Sequence, residues 1–314
     1  MIFVLFCIVT ICFMLIRMLP MTKPMGTAAQ IQLVEERWEA LGYDKPLLVQ
    51  YGIYLRNIFT ELDFGTSWYI QYRAPAFDVI TTRLLPTVLV NFYSLILSTP
   101  IGILFGVYAA IKKNKWQDHF ISTAVMIFVS IPSYVYAFLV QYIFAFLLDD
   151  FFNGFFPLTV FSLADAGGSW FTFDMFRSML LPIMALSFGS VAGLCRFTRA
   201  ELTESLTSEY MLLARAKGLT RSQATTRHAL KNAMVPILPS IIGSFVGILG
   251  GSMIIEQIFS IPGVGRLYIQ SITLRDYDVF MIDTIFYTLI GLLAGIVVDI
   301  SYGFIDPRIR MGEK

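Results

Sequence analysis

Long apolar stretches separated by polar segments run the length of the chain. Six of them reach or approach the roughly 20 mostly apolar residues that a helix needs to cross a bilayer. They are Met1–Leu19, Thr87–Ile111, Phe120–Leu148, Ser178–Cys195, Ile237–Phe259 and Val279–Ile305. The pattern predicts an all-α, polytopic membrane protein with six transmembrane helices. Arg17 lies near the end of the first stretch. A cleaved leader would carry a positive segment before the apolar run and a small-residue cleavage site after it. Arg17-Met18-Leu19-Pro20 supplies neither, so a retained helix is expected. Two longer polar segments interrupt the pattern. Pro20–Pro86, rich in carboxylates, is predicted to fold as a subdomain on one side of the membrane, and Arg196–Pro236 separates spans four and five. The expected organisation is a first helix over 1–19, a loop subdomain over 20–86, a five-helix core over 87–305 that includes the 196–236 loop, and a tail over 306–314.

Composition sharpens this picture. Of 314 residues, 56% are hydrophobic and 14% charged, with a net charge of +1. A soluble domain would carry roughly 25% charged residues. The balance excludes an ordinary soluble enzyme, a disordered chain and a basic nucleic-acid binder. Cys7, Cys12 and Cys195 all sit in apolar runs, and His119 and His228 are far apart, so neither a disulfide framework nor a metal site is expected. The distribution of Lys and Arg in short loops orients membrane proteins. Thirteen basic residues fall on one side, in 112–115, 196–231 and 308–314, against four on the other (Arg17, Arg177, Arg266 and Arg275). That bias predicts both termini and the Arg196–Pro236 loop in the cytoplasm, and the Pro20–Pro86 loop outside.

Small residues let membrane helices approach closely. Gly243, Gly247 and Gly251 stand four apart in span five, an expected packing face, with shorter versions at Gly102/Gly106, Gly189/Gly193 and Gly291/Gly295. Contact within the chain and contact with a partner subunit both fit this spacing. Pro100, Pro132 and Pro182 interrupt spans two, three and four and predict kinks. Glu256, Asp283 and Asp299 lie toward span ends, which suits interfacial carboxylates better than an ion site. A self-sufficient ion-coupled carrier would show mid-membrane ion ligands or inverted repeats. A membrane enzyme would show His, Cys or acidic clusters near one interface. Neither pattern is clear here.

The Arg196–Pro236 loop carries the most specific signal. Thr207-Ser208-Glu209-Tyr210-Met211-Leu212-Leu213-Ala214-Arg215-Ala216-Lys217-Gly218 predicts a short helix. Thr207 or Ser208 caps it, Arg215 and Lys217 complement its C-terminal dipole, and Gly218 closes it in the left-handed conformation. Thr220-Arg221-Ser222-Gln223 predicts a capping box for a second helix, with Ala224, Leu230, Ala233 and Met234 facing inward. The small residues Ala214, Ala216 and Gly218 would admit a protein surface closely. An amphipathic helix lying on lipid headgroups is the alternative, given Met211, Leu212 and Leu213.

This loop resembles the coupling segment of ABC-importer permeases in the variant of the dipeptide/oligopeptide family. Segments along nearly the whole chain support the likeness: Asp44-Lys45-Pro46-Leu47 with Gln50-Tyr51, Asp63-Phe64-Gly65, Asn114-Lys115-Trp116-Gln117-Asp118, Ile258-Phe259-Ser260-Ile261-Pro262-Gly263-Val264-Gly265, and Asp306-Pro307-Arg308. Two features depart from the family pattern. Glu209 directly precedes Tyr210, and no basic flank precedes the first span. The resemblance implies a type I ABC importer permease fold in a bacterial cell membrane, as the B-type subunit for oligopeptides or dipeptides. It implies a second homologous permease, two cytoplasmic ATPases and an extracytoplasmic peptide-binding protein as partners. ATP and Mg would sit on the ATPases, with no cofactor and no catalysis in this chain. The same resemblance gives Glu209, Tyr210, Ala214, Arg215, Ala216, Lys217 and Gly218 an ATPase-coupling role. The chain lacks a Gly-x-x-x-x-Gly-Lys-[Ser/Thr] phosphate loop. No substrate-contacting residue is predicted.

Overall fold

The computed structural model describes residues 1–19, 27–40 and 42–305. Asp306-Pro307-Arg308 and the 306–314 tail lie outside the described residues. The helices are α1 (Ile2–Arg17), α2 (Ala28–Ala40), α3 (Leu47–Glu61), α4 (Ala76–Ile111), α5 (Trp116–Ser130), α6 (Ser133–Tyr142), α7 (Asp149–Phe152), α8 (Phe173–Leu206), α9 (Glu209–Ala216), α10 (Arg221–Ala224), α11 (Leu230–Gly247), α12 (Met253–Ile258), α13 (Val264–Thr273) and α14 (Tyr277–Ile305). Thr66–Ser67 (β1) and Ala74–Pro75 (β2) pair antiparallel as a minimal ribbon.

Among the described residues, four helical stretches are long and apolar enough to span a membrane: Ala76–Ile111, Phe173–Leu206, Arg221–Gly250 and Tyr277–Ile305. The expected third span is two helices, α5 and the Ser133–Leu147 stretch, bent by 102°. Pro132 is the cause. The residue before a proline is pushed out of the helical region, and Ile131 is extended at φ −84°, ψ 127°. The sixth segment, α1, has 16 residues, a length of about 24 Å against a hydrocarbon core of about 30 Å.

Three boundaries differ from the hydropathy pattern, the first two for one reason. Hydropathy registers lipid-facing apolarity, whereas a helix continues wherever one stripe finds partners. The α8 helix continues eleven residues past the expected end at Cys195 because Cys195, Thr198, Leu202 and Ser205 form a buried stripe. The α4 helix starts at Ala76 rather than Thr87, with Ala76, Val79 and Ile80 buried. Span five is displaced toward the N-terminus. It begins at Arg221 and ends at Gly250, because the glycine pair Gly250-Gly251 carries the largest entropic cost of helix propagation. Residues Met253–Ile258 form a separate helix.

The chain divides into two compact units. The first comprises Met1–Thr87, Gly250–Met253 and Pro262–Leu292. Its polar segment does not close on itself, since α13 and the start of α14 complete its core. Phe13 of α1 is fully buried 5.1 Å from the Tyr51 ring and 5.0 Å from the Tyr54 ring, in a cluster that includes Phe280 and Met281. Arg17 closes this cluster, its guanidinium 3.7 Å over Tyr43 and 4.0 Å from Asp278. Ala76, Val79 and Ile80 pack on Val264, Leu267, Val279 and Ile282. The Val264 amide donates to Thr87 Oγ1 at 2.9 Å, so the Ile-Pro-Gly-Val-Gly segment is fixed on α4.

The second unit comprises Val88–Leu249, Ile254–Ile261 and the stretch from Leu293. Here α5, α6 and α11 pack on α8. Met175, Met179, Leu181, Ile255 and Phe259 sit in its main core, and Val160 N donates to the Phe259 carbonyl at 2.9 Å. Asp118 takes a bidentate pair of bonds from Arg199, at 2.5 Å from Nε and 2.8 Å from NH2, and accepts a third from Asn114 N at 2.9 Å. This ties the α4–α5 turn to α8.

The glycine pairs differ in use. A Cβ on Gly106 would lie 2.6 Å from Thr198 Cβ and 2.7 Å from the Cys195 carbonyl oxygen. We expect Gly106→Ala to destabilise the α4–α8 contact by about 1–3 kcal/mol through overpacking, read as earlier heat-induced aggregation in detergent. An unchanged transition would mean that this approach is not close. A Cβ on Gly243 would meet Val298 Cγ2 at 2.7 Å, whereas Gly247, Gly189, Gly193, Gly291 and Gly295 face open space. Gly251 does not share the expected helical face: it lies past the helix end at φ +62°.

Candidate functional site

Two features of the second unit stand out chemically. The first is a groove of about 530 Å³ between α4, α8 and α11. Asn91, Ser94, Ser98 and Thr99 line it from α4, Ser190 and Gly193 from α8, and Ser240, Ser244 and Gly247 from α11. The three polar sets arise from helical spacing, since residues three, four and seven apart share a face. Hydroxyls of Ser98, Ser190 and Ser244 donate to Leu95, Leu186 and Ser240 carbonyls in their own helices. This satisfies the donors within apolar helices and leaves the oxygens able to accept from water or a polar solute. Every lining side chain is uncharged. A 530 Å³ recess of this kind suits a small hydrated polar molecule. Sequence reasoning named only Gly193 and Gly247 of these, as packing positions, although the serine stripe in spans otherwise built of Leu, Ile and Phe was the available signal for the rest.

The second feature is the unit formed by α9, Gly218 and α10. Gly218 adopts φ +88°, the left-handed closure expected of it. The capping box is complete, with Thr220 N donating to Gln223 Oε1 at 3.0 Å and Gln223 N to Thr220 Oγ1 at 3.3 Å. The α9 cap differs from expectation. Ser208 occupies the cap position but makes no side-chain cap bond. Its hydroxyl donates to the Ser205 carbonyl at 2.6 Å instead.

Burial divides the predicted coupling residues. Met211 and Ala214 point into a cluster with Ala110, Leu202, Ala224, Ala229 and Ala233. Ala214 is only 4% exposed. It is an internal spacer and not part of the presented face, which corrects its expected place there. Of the expected inward residues, Ala224 and Ala233 are buried and Leu230 and Met234 half-buried. Glu209, Tyr210, Arg215, Ala216, Lys217 and Gly218 are exposed, as are Leu212 and Leu213, which sequence reasoning had not assigned to the face. Tyr210 joins α9 to α8 by a hydrogen bond between its hydroxyl and Ser205 Oγ, and Ser205 also donates to the Ala229 carbonyl at 2.8 Å. Partial burial pushes the Tyr210 phenol up, but hydrogen bonds with Ser205, Ser208 and Asn232 outweigh it and hold the phenol below its ordinary value. The exposed face therefore stands on a polar joint at the end of α8. Among the described residues, no group of three His, Cys, Asp or Glu lies close enough to hold a metal ion.

Comparison with known proteins gives these features a family. Residues 102–311 match the family described as binding-protein-dependent transport system inner membrane component. The chain is 36% identical over 310 residues to the dipeptide transport system permease protein DppB of Lactococcus lactis subsp. cremoris (strain MG1363), covering 98% of this chain and 95% of the relative. It is 31% identical to the glutathione transport system permease protein GsiC of Escherichia coli (strain K12), covering 98% and 94%. A crystal structure of an amino acid ABC transporter with histidines shares the fold, with a TM-score of 0.51 and 19% identity over 71% of this chain and 92% of that one. The chain belongs to the inner-membrane permease components of binding-protein-dependent ABC import systems, a non-catalytic membrane subunit whose ATPase is a separate protein.

Proposed function

We propose that this chain forms one half of the path by which short peptides cross the membrane, with the uncharged groove of α4, α8 and α11 as its contribution. The groove carries this reading, because it lies in the same compact unit as the exposed α9 face, which links substrate path and motor contact. The substrate class follows the relatives, one named for dipeptides and the other for glutathione, a short peptide. A second homologous permease would complete the groove, and an extracytoplasmic binding protein would deliver the peptide.

Two ATPases would bind ATP and Mg and receive α9 on the cytoplasmic face. The strong Lys/Arg bias supports placing both termini and α9 on that side. Glu209, Arg215, Ala216, Lys217 and Gly218, with Leu212 and Leu213, form the coupling face, while Tyr210 and Ala214 hold it in place. ATP-driven closure of the ATPases would move α9, and through Tyr210 and Ser205 the end of α8, as a rigid body that switches access to the groove.

The test is uptake of a labelled dipeptide by proteoliposomes containing this chain, the second permease, both ATPases and the binding protein. We expect uptake to require ATP and the binding protein. Uptake that continues without ATP while an ion gradient is maintained would overturn the assignment.

A further inference from the structure

We infer that the second unit carries a binding site for an anionic phospholipid, whose acyl chain lies in an apolar groove on the side of α8 opposite the polar groove. This inference rests on the polar groove being the substrate path. The apolar groove has a volume of about 400 Å³ and runs between α4 (Leu97 to Phe105), α5 (Phe120 to Phe128) and α8 (Met184 to Cys195). Its one lining hydroxyl, Ser187, donates to the Ile183 carbonyl at 2.7 Å, so nothing polar in it asks for a polar ligand.

Three observations select lipid over another occupant. First, depth: the eleven-residue step from Met184 to Cys195 rises about 16 Å, which matches one leaflet of a hydrocarbon core of about 30 Å. Second, position: on α8, Ser190, Gly193 and Phe197 face the polar groove whereas Val191 and Cys195 face the apolar one. At 3.6 residues per turn these are opposite sides, so a second permease that completes the polar groove leaves this face to the membrane. Third, charge: the end marked by Phe105, Phe120 and Cys195 leads directly to Lys112, Lys113 and Lys115 in the α4–α5 turn and to Arg196 on α8. Asp118, the carboxylate in the first turn of α5, is already tied to Arg199. Trp116, 73% exposed, stands at the same level, where an indole suits the headgroup boundary. An apolar slot one leaflet deep that opens under a basic cluster fits a headgroup with negative charge above an inserted chain.

The experiment uses the assembled complex with its second permease and ATPases, in nanodiscs. Phosphatidylglycerol and phosphatidylcholine probes, each with a photoactivatable diazirine in one acyl chain, are cross-linked and the labelled peptides mapped. We expect label on α4, α5 and α8 at the groove, with phosphatidylglycerol preferred. Lys113→Gln with Lys115→Gln should lower that preference about thirtyfold. Ala124→Phe, which fills the slot, should remove the label. If that variant fails to assemble, competition of unlabelled against labelled phosphatidylglycerol on the wild-type complex reads the same site. Label spread evenly over all lipid-facing helices, equal use of both probes, or a cross-link from Ala124→Cys to the second permease would each overturn the inference. ATP-driven peptide uptake by the same preparations reports separately on the transport reading, so uptake without groove label removes the lipid site alone.

Discussion

Replacing Leu212 and Leu213 together with aspartate will abolish ATP-driven peptide uptake while leaving the chain inserted and folded. Both side chains point away from the protein, 68% and 57% exposed, so their own fold does not depend on them. In an ATPase groove they would bury apolar surface worth about 1.5–3 kcal/mol each. Losing both lowers affinity for the ATPases by about a thousandfold, and two carboxylates in that groove add a desolvation cost. The measurement is co-purification of the ATPases with the tagged permease, read beside uptake. A helix that merely rests on lipid headgroups would lose membrane contact but keep its ATPases, so normal co-purification sinks the coupling role. Two controls locate the effect. Ala214→Asp should instead reduce the amount of folded permease, because it places an unpaired charge among Ala110, Leu202 and Ala224. A Cβ at Gly218 meets no neighbouring atom, yet Gly218→Glu forces a side chain into φ +88° at about 1–2 kcal/mol. It should uncouple transport partially.

How far such features can be read from residues alone depends on the range of the interaction that creates them. The capping box at Thr220 and the left-handed Gly218 are local, and both were legible. The apolar segments were legible as well: four stand among the described residues as helices long enough to span a membrane, a fifth as a bent pair, and the first as the shorter α1. Helix ends were not, since Leu202 and Ser205 continue α8 only because α9 and α10 lie against them. The same limit explains Ala214. A small residue in a short amphipathic helix serves equally well as a docking surface or as a spacer, and only the neighbouring Ala224 and Ala229 decide between the two. Pro132 announced a break in span three, but its 102° bend is a tertiary outcome. The polar groove needed three helices at once, so no single stretch displayed it.

Asp276 is the extreme case of such distance, and its replacement carries a large expected cost in the first unit. Its side chain is buried, and Oδ2 accepts from Ser67 Oγ at 2.6 Å and from the Tyr69 and Ile70 amides at 3.1 Å each. These partners lie more than 200 residues away in sequence, so no local pattern could have paired them. Ser67 in turn accepts from Gln71 N at 2.9 Å, and Arg73 N donates back to the Ser67 carbonyl at 2.9 Å, so the 67–73 turn is anchored through this carboxylate oxygen, while Thr66 N donates separately to Asp278 Oδ2 at 3.0 Å. Removing it in Asp276→Ala leaves a hydroxyl and two amides without their acceptor. Hydrogen bonds to a charged group are worth about 1.5–3 kcal/mol each and are not additive. A combined loss of about 3 kcal/mol raises the open population of this turn about a hundredfold. Arg73 is exposed at the tip of the turn and offers the readout. When opening is fast relative to cleavage, the proteolysis rate follows the open population. Trypsin should therefore cut after Arg73 about a hundredfold faster in Asp276→Ala than in wild type. Asp276→Asn keeps an acceptor in place and should fall between the two. Association with the ATPases should be unchanged in both variants, because α9 belongs to the other unit. Equal cleavage in all three proteins would show that the turn is held by its own backbone pairing, and the carboxylate would lose its assigned role.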